Sequence, residues 1–312
     1  MHQDYHGLVS VIVIYHNEAE FISEAVASVV SQTYNHWELI LVDDASSDNS
    51  TESAMEVLAE DRHSVRVIKT SSDRTCVGMS KARNFGLAAA TGDFIAFLDG
   101  DDVWLPYKLS EQVILLKSNQ HAEAVYGRTT IWLEWEESKS KEVVEDYYYS
   151  LGVAADKIYH PPALCRLLIE NKWQSPTTCN VMYRASFFQK YGGFDDRYLS
   201  TFEDQIVYFK LFLNCPVFVS SRVWAKYRQH VDSSSTEFTN SSLRAQILAR
   251  LNLIQWSLEY IQLNRSTLPD GMERINALLR QESQRLRRGL GLRGGISRGL
   301  NFLRRYKGKL GI

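Results

Sequence analysis

The sequence predicts an α/β fold, a mostly parallel sheet with helices packed on both faces. Three observations predict it. Short apolar runs of strand length recur as "LVSVIVIY" (8–15), "ELILV" (38–42), "VRVIKT" (65–70) and "FIAFLD" (94–99). Between them the apolar positions switch to helical spacing, the alternation expected of βαβ units. The strands carry almost no polar residues, as required when helices cover both faces of a parallel sheet.

The elements follow in order. After the first strand, Phe21, Ile22, Ala25, Val26 and Val29 trace one face of a helix, with Asn17 and Glu20 reading as its N-cap and capping box. The polar loop "DDASSDNS" leads from the second strand to a helix near 51–60. "SKARNFGLAAATG" is a helix with Gly92 as its stop. Pro106 opens the helix after the fourth strand, where its missing N–H costs nothing. "AEAVYGRTTIWLEW" (122–135) reads as a strand, and the charged, Tyr-rich stretch 136–160 as an excursion. "PPALCRLLIE" is expected to start a helix at its prolines. "TTCNVMY" (177–183) reads as a strand, and "RASFFQKYGGF" as a short helix ending at Gly192-Gly193. "FEDQIVYFKLFLN" (202–214) is a helix with an acidic first turn, which its dipole favours. "VFVSSRVWAKYRQH" is a last extended segment, and residues 241–283 read as helical. The expected division is a domain over residues 1–235 and a helical, basic extension over 236–312. No internal repeat is evident.

Composition narrows the class. With 45% hydrophobic and 23% charged residues among 312, the chain has the make-up of a folded globular protein, not of a disordered one. Cys76, Cys165, Cys179 and Cys215 show no C-x-x-C spacing, which speaks against zinc or dithiol chemistry and for structural thiols in a reducing compartment. The opening "MHQDYHGLVSVIVIYHNEAEF" lacks a basic stretch ahead of its apolar run, so no signal peptide is expected. No run is long and apolar enough for a transmembrane helix. The net charge of −2 conceals nine Arg or Lys and no acid in residues 284–312, which leaves −11 on the remainder. A basic tail on an acidic body points to a second, anionic partner.

The chemistry concentrates at "FIAFLDGDDVW" (94–104). Asp99, Asp101 and Asp102 follow a buried strand, and two such charges at about 4 Å repel by about 4 kcal/mol at an effective dielectric near 20. A hard cation resolves that repulsion: Mg²⁺ or Mn²⁺, held by one or two carboxylates and the phosphates of a substrate. The competing reading is an Asp-rich turn capping the next helix. Asp43 and Asp44 end the second strand on the same edge, the edge where parallel sheets bind ligands. They either accept hydrogen bonds from a base or ribose or form Asx-turns. Arg83 can pair with a phosphate or with the carboxylates. In the Glu203-Asp204 pair a carboxylate can be a general base if it faces the cleft; otherwise the pair serves the helix dipole. His230 reads as a metal ligand, a phosphate contact or a surface histidine.

Several segments together resemble family 2 glycosyltransferases of the GT-A (Rossmann-like) fold: "VSVIVIYHNEAEFISEAVASVVSQTYNHWELILVDDASSDNS", "GMSKARNFGLAAATGDFIAFLDGDDVWLPYKL", "GGFDDRYLSTFEDQIVYFKL" and "YRQHVDSSS". The resemblance spans roughly residues 8–235. It implies metal-dependent, inverting sugar transfer from a nucleotide-diphosphate sugar, with a UDP-sugar favoured, to the hydroxyl of a sugar or lipid-linked sugar. It also implies roles. Asp44 matches the base-contacting position, with Asp43 beside it. Asp99 matches the carboxylate near the ribose, Arg83 a donor contact, and Asn17 the loop lining the nucleotide pocket. Asp101 matches the metal carboxylate, and His230 a histidine reaching the metal or diphosphate. Asp204 matches the general base and Glu203 its neighbour. "YHN" replaces the family's commoner Y-N, and Cys76 and Met79 stand where small residues are frequent. No Q-x-x-R-W motif is present, which argues against a processive polymerase. The implied setting is surface polysaccharide or glycolipid assembly, in the cytoplasm. The Arg, Leu, Ile, Phe302 and Tyr306 of residues 284–312 read either as an interfacial segment docking on an anionic membrane at its inner face or as a solvated, partly disordered basic tail. Glycines 289, 291, 294, 295 and 299 weaken a helix there. No nucleic-acid partner is expected, because no reading module accompanies the basic charge. The rival readings are a sugar nucleotidyltransferase, which should show a Gly-rich N-terminal loop absent here, and a non-catalytic nucleotide-sugar binder.

Overall fold

The computed structural model describes residues 7–71, 75–133, 135, 145–171, 175–199, 201–231, 233–268 and 272–291. The first half alternates strictly: β1 (Val9–Tyr15), α1 (Ile22–Val30), β2 (Trp37–Asp43), α2 (Ser50–Val57), β3 (Ser64–Lys69), α3 (Met79–Ala89) and β4 (Phe94–Asp99). These strands lie parallel in the order β3-β2-β1-β4. Then come β5 (Val103–Trp104), α4 (Lys108–Ser118), β6 (Ala124–Trp132), β7 (Lys157–Tyr159), α5 (Cys165–Glu170), β8 (Met182–Arg184), α6 (Ala185–Tyr191), α7 (Glu203–Asn214) and β9 (Val217–Arg228). They extend the sheet as β8-β6-β9-β5, with β7 added to β9, and β8 runs antiparallel to both of its neighbours. Three helices close the described chain: α8 (Ser234–Asn240), α9 (Leu243–Leu263) and α10 (Met272–Gly289).

Every residue of β1 and β2 is buried. A period of two operates inside those continuous apolar runs. Val9, Val11 and Val13 face one core with α1, α2 and α4, while Ile12 and Ile14 face the other with α3, α5 and α7. Full burial of each such side chain contributes about 1.5–3 kcal/mol. Leu251, Leu253, Ile254, Ile275 and Leu279 of α9 and α10 join the second core.

This winding positions the site. β2 and β3 lie to one side of β1 and β4 to the other, so the order reverses between β1 and β4. A crevice at the carboxyl ends of those strands is the natural ligand site of such a sheet. The register sets Tyr15 opposite Asp43 and Ile14 opposite Asp99, which brings the acidic strand ends to one edge.

The structure corrects several local expectations. Pro106 does not open α4, which begins at Lys108 with Tyr107 at its N-cap. Asn17 does not cap α1: the helix starts at Ile22 after Phe21, with no side-chain cap, while Asn17 sits at φ 57 in the preceding loop. Gly92 does not stop α3, which ends at Ala89 with an extended Ala90. Its role is close approach, since a Cβ there would lie 2.6 Å from the Leu8 carbonyl oxygen and 2.7 Å from the Ser10 nitrogen. The helix expected to begin at its prolines begins at Cys165: proline keeps His160 and Pro161 out of the helical region, and the Ala163 and Cys165 N–H groups close turns onto the His160 and Pro162 carbonyls. In "TTCNVMY" only Met182 and Tyr183 belong to a strand, and Thr178–Asn180 form a 3-10 turn. There the buried Asn180 side chain accepts from Gly127 N–H and donates to the Arg128 carbonyl, and these bonds fix a turn in place of a ladder.

Candidate active site

A cleft of about 910 Å³ opens at the predicted edge. One wall comes from the ends of β1 and β2 and from the chain entering α3: His16, Glu18, Asp44 and Cys76–Met79. Its floor is Arg83, Asp99, Gly100, Asp101 and Asp102, and its far wall is Thr177, Thr178, Phe202, Glu203 and Asp204.

Arg83 is the electrostatic pivot. It is 1% exposed, and its guanidinium donates to Asp99 Oδ1 at 2.7 Å and to Glu203 Oε1 at 2.9 Å. The Phe194 ring lies under it, with its centroid 5.3 Å away. α3 thus neutralises one carboxylate from β4 and one from the start of α7. Burial pushes the Asp99 pKa up, against the pull of Arg83.

The neighbour of Glu203 escapes that clamp. Asp204 accepts only the N–H of Gln205, at 2.7 Å, among the described hydrogen bonds. Burial and the adjacent Glu203 push its pKa up to about 7, with Arg83 opposing. A carboxylate facing a cleft with a pKa near neutrality is suited to proton abstraction.

The other predicted residues separate into two groups. Asp101 lines the cleft, 16% exposed at its side chain, and His230 Nε2 lies 3.1 Å from its Oδ2. His230 itself stands behind Asp101, tilted against Phe21 with ring centroids 4.9 Å apart. Asp44 also lines the cleft, but its carboxylate is engaged. Oδ1 accepts from Thr70 and from Val77 N–H, and Oδ2 from Cys76 and from Gly78 N–H. Burial would raise its pKa, yet those bonds, Cys76 and Thr70 foremost, hold it below the usual value. Asp43 and Asn17 do not line the cleft. Asp43 accepts from Ser46 N–H and Thr51 Oγ1, and Asn17 accepts from Ser47 N–H at 2.7 Å, so both brace the loops around the site.

Sequence reasoning missed three cleft residues or their roles. Glu18 follows β1, and its Cγ would lie 3.3 Å from a Cβ at position 100. Burial and the Asp101 charge push its pKa up to about 8, against His230, with Asp99 adding to the rise. Its place just past a strand end was the available signal. His16 is exposed in the cleft with Nδ1 2.6 Å from the Asp44 carbonyl oxygen, its ring orientation fixed from that side. Asp102 Oδ1 accepts the Arg228 N–H at 3.0 Å and so ties the acidic turn to β9.

Among the described residues, no three His, Cys, Asp or Glu side chains form a closed metal site. Asp101 fits a different arrangement, a hard cation held by one or two carboxylates and completed by phosphate oxygens, with Asp99 beside it held by Arg83. Gly100 keeps that turn tight against β1: a Cβ there would lie 2.9 Å from the Tyr15 Cβ.

The model of the family described as "Glycosyl transferase family 2" matches residues 10–192, more than half of the chain. The chain belongs to glycosyl transferase family 2. Curated relatives of the chain include the Escherichia coli protein WfgD, a UDP-Glc:alpha-D-GlcNAc-diphosphoundecaprenol beta-1,3-glucosyltransferase. WfgD is 42% identical over 124 residues, covering 40% of this chain and 46% of WfgD. An uncharacterized glycosyltransferase of Rickettsia conorii is 26% identical over 246 residues, 78% of this chain and 38% of the relative. The chain spans about half the length, or less, of these curated relatives. Among solved structures, Staphylococcus aureus TarS 1-349 in complex with UDP-GlcNAc superposes with a TM-score of 0.62 at 18% identity, over 89% of this chain and 71% of that one. A Pyrobaculum calidifontis mannosyltransferase in complex with GDP-Man and Mn²⁺ superposes with a TM-score of 0.58 at 16% identity, over 98% and 81%. These likenesses show the family's GT-A fold.

Proposed function

We propose that this family 2 protein moves a sugar from a UDP-sugar to the hydroxyl of a sugar or lipid-linked sugar acceptor, with inversion, in surface polysaccharide or glycolipid assembly. One observation carries the reading: Asp204, its pKa raised to about 7, shares a cleft with Asp99 and Asp101. Asp204 takes the proton of the acceptor hydroxyl as its oxygen attacks the anomeric carbon. The nucleoside diphosphate leaves from the opposite face, so the anomeric centre inverts without a covalent intermediate. Arg83 keeps Asp99 and Glu203 compensated, which lets an anionic diphosphate approach. Asp101, backed by His230, is the residue that would hold Mg²⁺ or Mn²⁺, which when bound supplies positive charge for the leaving diphosphate. Asp44, Arg83 and Asp99 form the donor side of the cleft, with Asn17 and Asp43 supporting its loops.

The donor class is supported by the UDP-Glc in the name of WfgD and by the UDP-GlcNAc complex of TarS. The metal is supported by the Mn²⁺ complex of the mannosyltransferase. The acceptor class is supported by the diphosphoundecaprenol in the name of WfgD. Among the described residues, no helix is long and apolar enough to cross a membrane. Residues 236–312 are proposed as an extension whose basic end sits on an anionic membrane at its cytoplasmic face. Arg285, Arg287 and Arg288 of that end lie on α10, and residues 292–312 lie outside the described residues.

The test is donor binding and slow hydrolysis across UDP-, GDP-, dTDP- and CMP-sugars, with Mn²⁺ or with EDTA. The expected result is metal-dependent binding and hydrolysis of a UDP-sugar, abolished in Asp101→Ala. Binding of no donor under either condition would overturn the proposal.

A further inference from the structure

The far wall of the cleft is held from behind by one arginine outside the family-matched segment. Arg250, on α9, is 6% exposed. Its guanidinium donates to Gln205 Oε1 at 2.9 Å, to the Ile169 carbonyl at 3.0 Å and to the Leu168 carbonyl. It also lies over the Phe202 ring, 5.7 Å from the centroid. Burial pulls its pKa down to about 10, with Glu282 opposing and Arg285 adding, so it stays charged at neutral pH.

Each of these partners adjoins a cleft residue. Gln205 follows Asp204. Leu168 and Ile169 expose the last carbonyls of α5, which no intrahelical N–H can satisfy, and two residues on is Asn171, the left-handed C-cap, which lines the cleft. Phe202 lines the cleft itself and sits at φ 62 just before α7. A non-glycine residue held at positive φ persists only where its surroundings over-determine it. Here Arg250 supplies one contact and Phe238, in edge contact at 5.4 Å, supplies another.

We propose that Arg250 is a positioning residue, which joins the C-terminal helices to the Phe202–Gln205 and Ile169–Asn171 segments and sets the geometry of the Asp204 wall. The proposal rests on the reading of Asp204 as the base. Asp204 touches the reacting hydroxyl, and Arg250 acts only through Gln205, Phe202 and the end of α5. Small errors in placing a base cost rate and not donor affinity, so the signature is a fall in kcat with KM for the donor little changed.

The experiment uses the full chain with Arg250→Met, Arg250→Lys and Gln205→Ala, the last removing a single bond should the first variant fold poorly. Hydrogen exchange reads the geometry without any substrate. The Ile206 N–H bonds the Phe202 carbonyl and the Asn171 N–H the Leu167 carbonyl, each at 3.2 Å. Both amides should exchange about tenfold faster in Arg250→Met, and the Ile206 amide alone in Gln205→Ala, while β1 and β2 keep their protection. In hydrolysis of the accepted UDP-sugar, Arg250→Met should lower kcat about tenfold or more, with KM within about twofold. Arg250→Lys should recover part of the loss, since one ammonium can serve some of the three acceptors. Unchanged exchange at both amides in folded Arg250→Met overturns the proposal. So does a kcat that falls only in proportion to the folded fraction. Absence of turnover of any nucleotide sugar by the unmodified chain would instead overturn the proposed function, and the exchange data would still decide whether Arg250 orders this wall.

Discussion

Replacing Asp204 by asparagine should stabilise the protein while it stops the chemistry, and the stability gain should grow with pH. The folded-state pKa of Asp204 is raised from 3.8 to about 7, chiefly by burial and by Glu203. Between those values the folded chain holds a proton that the unfolded chain has lost. Stability therefore falls as pH rises through that window, by about 1.4 kcal/mol per pH unit and by at most about 4 kcal/mol once the folded carboxyl has ionised. At about pH 5 roughly a third of that loss is present; at about pH 8.5 all of it is. Asparagine carries no charge at either pH, and its Oδ1 can still accept the Gln205 N–H that Asp204 accepts at 2.7 Å. The advantage of Asp204→Asn should thus be about 2–3 kcal/mol larger at the higher pH. Urea unfolding followed by tryptophan fluorescence at the two pH values measures it. Sugar transfer should fall by about 10²–10⁴, the usual worth of a general base. A variant no more stable than the parent at about pH 8.5, or an advantage that shrinks as pH rises, would refute the burial argument.

Two further outcomes test the scaffold. Arg83→Met leaves the Asp99 and Glu203 carboxylates without their buried partner and should cost about 3–5 kcal/mol in urea unfolding; adding Glu203→Gln should restore part of it, and an additive double variant would deny the clamp. Gly86→Ala should cost about 1–3 kcal/mol, because a Cβ there would lie 2.3 Å from Ile12 Cγ2 and push α3 off β1; Ile12→Ala in the same chain should relieve the clash, and thermal melts of Gly86→Ala, Ile12→Ala and the double variant would show whether it does.

The parallel half of the fold was legible because its signal is local. Val9–Tyr15 and Phe94–Asp99 are apolar runs too short for helices, and the segments between them carry a helical period. The second half was less so. Met182–Arg184 is three residues long, and its strand character comes from pairing with β4 and β6, not from its own propensity. In the site, Asp101 stood out as one of three carboxylates following a buried strand, and Arg83 and Asp204 through the motifs shared with the family. Glu18 and His16 did not, because a polar residue in a loop has no pattern to break. Asp43 and Asp44 are adjacent and alike in sequence, yet one braces the loop after β2 and the other lines the cleft.

The sequence by itself determined the alternation of strands and helices, the acidic strand ends and the family, since each depends on neighbours along the chain. Only the tertiary structure decided which carboxylate is free. Glu203 and Asp204 differ by one position on α7, and the 2.9 Å bond from Arg83 claims Glu203. That choice depends on where α3 and α7 meet, 120 residues apart in the chain. The same holds for Arg250, one arginine among many until α9 packs it behind Gln205. Burial and charge pairing are properties of the packed molecule, and they set the pKa of Asp204 that makes the cleft a candidate for chemistry.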